Sequence, residues 1–258
     1  MKKGTILGFS TLLVWGVVKA PIESHMTTQR HEQQLGGYKI TASLRQQLGQ
    51  AGFLAMLGGL RAAVADLLWI RAHIAWQDTQ YGRMKLYFDA CTALQPRREN
   101  FWETAGWHMG WNGAAYMESS ERDPIKRQRE IAEYHHLGES YFIEGTQNLP
   151  ESWRLYDWLG ALYRDKLKDP CKAAAAYEEA SKREGHLDYT RRFAAYFLAE
   201  CPGHEQEAYG KLLALYKEGE REWLPTLLVK LQEMERKLGI PKEQRVYIPA
   251  KELLPAEQ

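Results

Sequence analysis

The feature that most limits how this chain can fold is Tyr156-x-x-Leu159-Gly160-x-x-Tyr163, followed by Ala173-x-x-x-Tyr177-x-x-Ala180. Each set puts its residues on one face of a helix. The small residue lets two antiparallel helices approach closely, and the large residues around it fill the gaps to the neighbours. Such a helix pair cannot bury its apolar face alone and is stable only when stacked on further pairs.

The register recurs along the chain. Phe88 and Pro96 are separated by the same interval as Phe142 and Pro150, and each proline is followed by a helix rich in aromatics. After Pro96 the pattern gives Trp102, Ala105, Gly106 and Met109. After Gly185 it gives Arg191, Ala194, Ala195 and Leu198, and upstream of Pro96 it lands on Leu68 and Ala72.

Prolines and glycines bound the helices, because proline is tolerated in a first turn and glycine ends a helix. The expected helices are Ser43–Leu57, Leu60–Asp78, Gly82–Leu94, Asn100–Met117, Pro124–Gln147, Glu151–Lys166, Pro170–Arg183, Leu187–Glu200, Glu205–Lys217 and Arg221–Leu238. Pro225 must lie in the first turn of the last one, which has the amphipathic look of a capping helix. A strand is suggested only at Arg245–Ile248. Most connections are short, so consecutive helices pack antiparallel.

On these residues the chain resembles the tetratricopeptide repeat (TPR) family over roughly Leu60 to Lys217. The unit from Glu151 to Gly185 carries the likeness most fully. The unit ending at Pro150 holds about twenty extra residues around Met117–Tyr134 that the family period does not include. The segment Ala65-Asp66-Leu67-Leu68-Trp69-Ile70-Arg71-Ala72 is also similar to membrane-anchored bacterial TPR-like proteins. The resemblance implies an all-α solenoid of antiparallel helix pairs, a right-handed superhelix whose first helices line a concave groove. By register, that groove takes Asp66, Trp69, His73 and Trp76 from the first unit, and Asn100, Glu103 and Trp107 from the second. The third supplies Arg154, Asp157 and Arg164, and the fourth Tyr189, Arg192 and Tyr196. The spacing of Asp66, Trp69, His73 and Trp76 independently puts them on one face. Exposed Trp, Tyr and Arg are the residues that dominate protein interfaces. The competing reading of each Trp is inter-helix core. The Lys and Asn clamp that some family members use for a carboxyl terminus is absent.

The first residues differ in kind. Met1-Lys2-Lys3 precedes an uncharged apolar run from Gly4 to Val18, the pattern of a secretory signal or signal-anchor. Pro21 follows the position a signal peptidase would cut, which favours an uncleaved anchor, whereas the run is short for a span of about 20 residues. The lysines place the N-terminus in the cytoplasm and the rest outside. The expected organisation is therefore an anchor or signal over residues 1–20, a tether over 21–41, a helical domain over 42–239 and a tail over 240–258.

From Ala51 to Ile70 the chain is apolar except for Arg61 and Asp66. Two charges and Gly58-Gly59 argue against a membrane span and for a buried helical hairpin. Asp66 is then expected to pair with Arg61 or Arg71, since buried charges are rare unless paired. Cys91, inside a helix, reads as a small core residue. Cys171 opens one helix and Cys201 closes the next, so antiparallel packing brings them together, and an oxidising compartment permits a bridge.

Signs of chemistry are few. Glu133-x-x-His136, with His135 and Glu139, is the one dense ligand-like cluster, but a di-metal bundle site needs a second copy and none occurs. The zinc-protease, phosphate-loop, dinucleotide-binding and nucleophile-elbow motifs are missing. A net charge of +1 supplies no field for nucleic acid. The expectation is a non-enzymatic scaffold without cofactor or metal. It is held at the outer, periplasmic face of a membrane and binds a protein or extended peptide for envelope complex assembly. The alternative is a helical enzyme or small-molecule binder with a pocket near Trp107, His108 and His135.

Overall fold

The computed structural model describes residues 59–246, all of whose regular structure is helical. The apolar run at the N-terminus, the tether, the helix expected at Ser43–Leu57 and the last residues of the tail lie outside the described residues. Among the described residues no helix is long and apolar enough to cross a membrane. The chain divides into two compact units, Met1–Phe101 and Trp102–Gln258.

In the first unit α1 (Arg61–Gln77) packs on α2 (Tyr81–Leu94). Small residues make the close approach possible. Ala65, Leu68, Ala72 and Ala75 are buried on α1, and Met84, Phe88, Cys91 and Leu94 on α2. The turn between them carries Thr79 at φ 57°. The Cys91 Sγ–H donates to the Ala65 carbonyl at 3.3 Å. Burial, and then the nearby Asp66 carboxylate, push its thiol up to about 12. Cys91 is therefore expected to resist thiol reagents in the native protein and to react only on unfolding. Rapid labelling without denaturant would contradict that packing.

Two expectations fail here. Asp66 pairs with Arg98, Nη1 to Oδ1 at 3.2 Å, and not with Arg61 or Arg71. Nor is the apolar run of residues 51–70 buried throughout, because Leu67 is 62% exposed and Ile70 51%; its residues 51–58 lie outside the described residues. Composition alone had suggested burial, but α1 is apolar on more faces than α2 covers.

The helix α3 (Glu99–Trp107), whose residues from Trp102 belong to the second unit, continues through a π turn at His108–Gly113 into α4 (Ala114–Ser120). This long rod packs along α5 (Pro124–Asn148). The extra residues around Met117–Tyr134 thus lengthen both helices of a pair instead of forming a loop. α5 starts where Asp123 accepts hydrogen bonds from the backbone N–H groups of Ile125 (2.9 Å) and Lys126 (3.0 Å), with Pro124 in the first turn.

The rod and α5 cross through glycine. A Cβ on Gly138 would lie 2.7 Å from the Gly110 Cα and 2.9 Å from the Gly106 carbonyl oxygen. Phe142, fully buried, occupies the space beside Gly106 and stacks on Trp158 at 6.3 Å.

The chain then runs through α6 (Trp153–Leu162), which ends in a π turn at Tyr163–Leu167, to α7 (Pro170–Ser181) and α8 (Tyr189–Leu198). Ser152 and Asp169 cap the starts of α6 and α7 by accepting from Leu155 N and Lys172 N. The residues of the opening motif pack as small against large. Gly160 leaves just enough room for the Tyr177 ring, 3.0 Å from where a Cβ would stand. Tyr177 in turn meets Phe193 edge-on at 5.2 Å and stacks on Phe197 at 5.8 Å. The start of α7 and the segment after α8 are joined by Cys171–Cys201, with a Cα–Cα distance of 4.9 Å.

Beyond it lie α9 (Glu205–Lys217) and α10 (Pro225–Lys237), with Pro225 in the first turn. Ala195, Tyr196, Leu212, Leu227, Leu231 and Met234 share their core. The suggested strand does not start at Arg245 or Val246. Instead the Val246 N–H donates to Glu235 Oε1 at 2.8 Å, satisfying a carboxylate that is itself buried. Tyr247 and Ile248 lie outside the described residues.

Candidate functional site

α6, the π turn that ends it and α8 bring Asp157, Arg164 and Tyr189 into one cluster. The Asp157 carboxylate is desolvated, which raises its pKa, while a hydrogen bond from the Tyr189 hydroxyl and the Arg164 charge pull it back down. Burial, together with that carboxylate, pushes the Tyr189 hydroxyl above its ordinary range.

Arg164 is held from three sides. It forks onto Asp165 with Nε–Oδ1 at 2.6 Å and Nη2–Oδ2 at 2.7 Å, and its Nη1 donates to the Tyr177 hydroxyl at 3.1 Å. Its guanidinium also lies 5.5 Å from the centre of the Phe193 ring. Phe193 further contacts Tyr189 at 5.3 Å, so a half-buried ring joins the charged and aromatic parts.

The other register positions of this unit behave differently. Arg154 is exposed and lies over Trp153 at 5.7 Å. Arg192 is matched by Glu222, Nη1 to Oε2 at 3.2 Å. Tyr196 is buried in the last core, and its hydroxyl has no hydrogen-bond partner. Glu103 is half-buried, and Trp107 is 37% exposed with its ring 5.0 Å from His108.

In the first unit, Trp69 and Trp76 are half-buried, and His73 is exposed with its ring 5.2 Å from Trp76. The Trp69 Nε1 is buried without a partner. Asn100 is exposed, and its Oδ1 accepts from Arg98 Nε at 3.3 Å.

The histidine and glutamate cluster on α5 is spoken for. His136 Nδ1 lies 2.8 Å from Glu139 Oε2, while Glu139 Oε1 accepts the Tyr163 hydroxyl at 2.7 Å and faces Lys172 Nζ at 3.4 Å. His135 is half-buried, and burial, Lys166 and His136 together lower its basicity. His108 is buried and receives the Asn112 amide at 3.1 Å. Among the described residues, no group of three or more His, Cys, Asp or Glu side chains is placed to hold a metal ion.

Repeat register passed over Phe193 and marked Tyr177 only as a packing residue, yet both contact Arg164. The spacing Tyr189, Phe193, Phe197 was a usable signal, since i, i+4 and i+8 fall on one helical face. The chain matches no protein-family model, no curated protein and no solved structure.

Proposed function

We propose that the second unit is a TPR-like helical scaffold that holds a protein or extended peptide across the α6–α8 face. The observation that carries this reading is Asp157, a desolvated carboxylate set beside Arg164, Tyr189 and Phe193. Arg164 is already neutralised by Asp165, so the cluster is net negative and suits a partner that supplies a lysine, an arginine or an amino terminus. The aromatic rings supply area at small cost in side-chain freedom, and the charge sets register. This is recognition without covalent chemistry.

The same proposal places the unit outside a cytoplasmic membrane, held by the apolar run at Gly4–Val18. The Cys171–Cys201 pair supports this placement, because such bridges persist in oxidising compartments. Partner recruitment to an envelope complex follows as the role.

Asp157 also gives the test. A carboxyl whose pKa is raised in the folded state costs stability when ionised. That cost is absent below the ordinary aspartate range, grows as pH rises through the raised value and is constant above it. Asp157→Asn keeps an acceptor for Tyr189 but removes the charge. At pH 7 the variant is expected to melt at a higher temperature than the parent and at low pH to match it, while partner capture falls. A variant less stable at pH 7 than the parent, or equally able to capture the partner, would overturn the assignment of Asp157 as a recognition group.

A further inference from the structure

α1 presents a second apolar face that the described residues leave open. Opposite the side buried on α2, Leu60 (51%), Leu67 (62%), Ile70 (51%) and Ile74 (50%) are exposed, with exposed Ala63 among them. Scattered exposed apolar residues are ordinary, but an aligned row on one helix marks an interface.

The charges beside this row point to the occupant. Positions 60, 63, 67, 70 and 74 alternate steps of three and four. Such steps keep the row on one face, a stripe that a second helix can cover. In that register Leu60, Leu67 and Ile74 take the first core position of successive heptads, and Ala63 and Ile70 the second. Asp66 and Arg71 then fall on the flanks, both exposed and of opposite sign. When two identical helices run parallel and in register, the trailing flank of one heptad faces the leading flank of the next in the other helix. Asp66 of one copy therefore meets Arg71 of the other, twice by symmetry.

We infer that α1 is a dimerisation helix, and that a second copy of this chain covers Leu67, Ile70 and Ile74 in a parallel two-helix seam. The seam is short, and an isolated helix of this length would be marginal, but α1 is already ordered by α2. A parallel arrangement also keeps the two N-terminal apolar runs on the same side, as the proposed anchor requires.

The test uses the full-length chain in mild detergent. Ile70→Cys, at a core position of the seam, is expected to yield a disulfide-linked dimer on gentle oxidation. Ala62→Cys, exposed on a different face, is expected to stay monomeric. Cys91 is buried and the other two cysteines are bonded to each other, so the background is low. Leu67→Lys is expected to weaken association roughly tenfold or more, the worth of one large apolar anchor. Asp66→Arg and Arg71→Asp are each expected to weaken it several-fold, and the two together to restore it. Restoration separates a contact between copies from the Asp66–Arg98 pair within one copy. The inference is overturned if Ile70→Cys forms no covalent dimer, if Ala62→Cys forms as much, or if the two charge reversals add instead of cancelling. A chain that stays monomeric because its own residues 43–57 or lipid covers the row overturns it equally.

Discussion

Gly138→Ala is expected to destabilise the protein by about 3 kcal/mol, the upper end of what overpacking costs. The added methyl would meet backbone on three sides: the Gly110 Cα at 2.7 Å, and the Gly106 oxygen and Gly110 nitrogen at 2.9 Å. Backbone cannot rotate away as a side chain can, so the rod and α5 must separate along their length. Separation would uncover Phe142 and Met109, both fully buried. Thermal unfolding followed by circular dichroism is expected to shift down by roughly 6–12 °C for a unit of this size. Gly210→Ala is the matched control. Gly210 lies within α9 and nothing stands within 4 Å of an added Cβ, so that change is expected to raise stability by about 0.5–1 kcal/mol. If both variants melt with the parent, the close crossing is wrong.

Loss of the Cys171–Cys201 bridge is expected to cost about 3–4 kcal/mol, from the loop entropy of a closed segment of this length. The two cysteines are separated by 30 positions, and the segment between them contains α7 and α8. α8 carries Tyr189 and Phe193, so the bridge holds one wall of the Asp157–Arg164–Tyr189 cluster on α7. Cys171→Ser/Cys201→Ser, or reduction of the parent, is expected to lower the melting temperature by about 10 °C. Partner capture is expected to weaken in parallel. The paired serines separate this from the buried thiol of Cys91, which stays unchanged. A parent protein that yields three reactive thiols after denaturation without reductant would contradict the bridge.

Much of the scaffold was legible because local chemistry punctuates it. Pro124, Pro170 and Pro225 each open a helix, and Asp123, Ser152 and Asp169 cap the helices that follow them. The Gly160 gap and the Tyr177 ring that fills it were visible as spacing. The approach of Cys171 to Cys201 follows from two antiparallel helices of similar length.

What escaped depends on partners distant in the chain or absent from it. Asp66 had two arginines nearby in sequence, and neither could be preferred to Arg98, which the α2–α3 connection delivers. Leu67 and Ile70 have the composition of core residues, and only geometry shows that α2 covers the other side of α1. Tyr196 shares its register with groove residues but falls where α9 and α10 close over it. No spacing rule pairs Gly138 with Gly110, because the match requires the rod to lie in one register along α5.

Whether the α6–α8 face holds a partner is tested by site-specific photocrosslinking in living cells. A photoreactive residue would replace Arg154, one turn before Asp157 on α6, or Arg192, one turn after Tyr189 on α8, and Ala175, exposed on α7, would serve as the control position. One discrete protein adduct is expected, shared by the Arg154 and Arg192 positions, absent at Ala175 and diminished by Asp157→Asn in the same chain. Adducts of equal yield and identity at Ala175, or none from a folded chain at either cluster position, would contradict it.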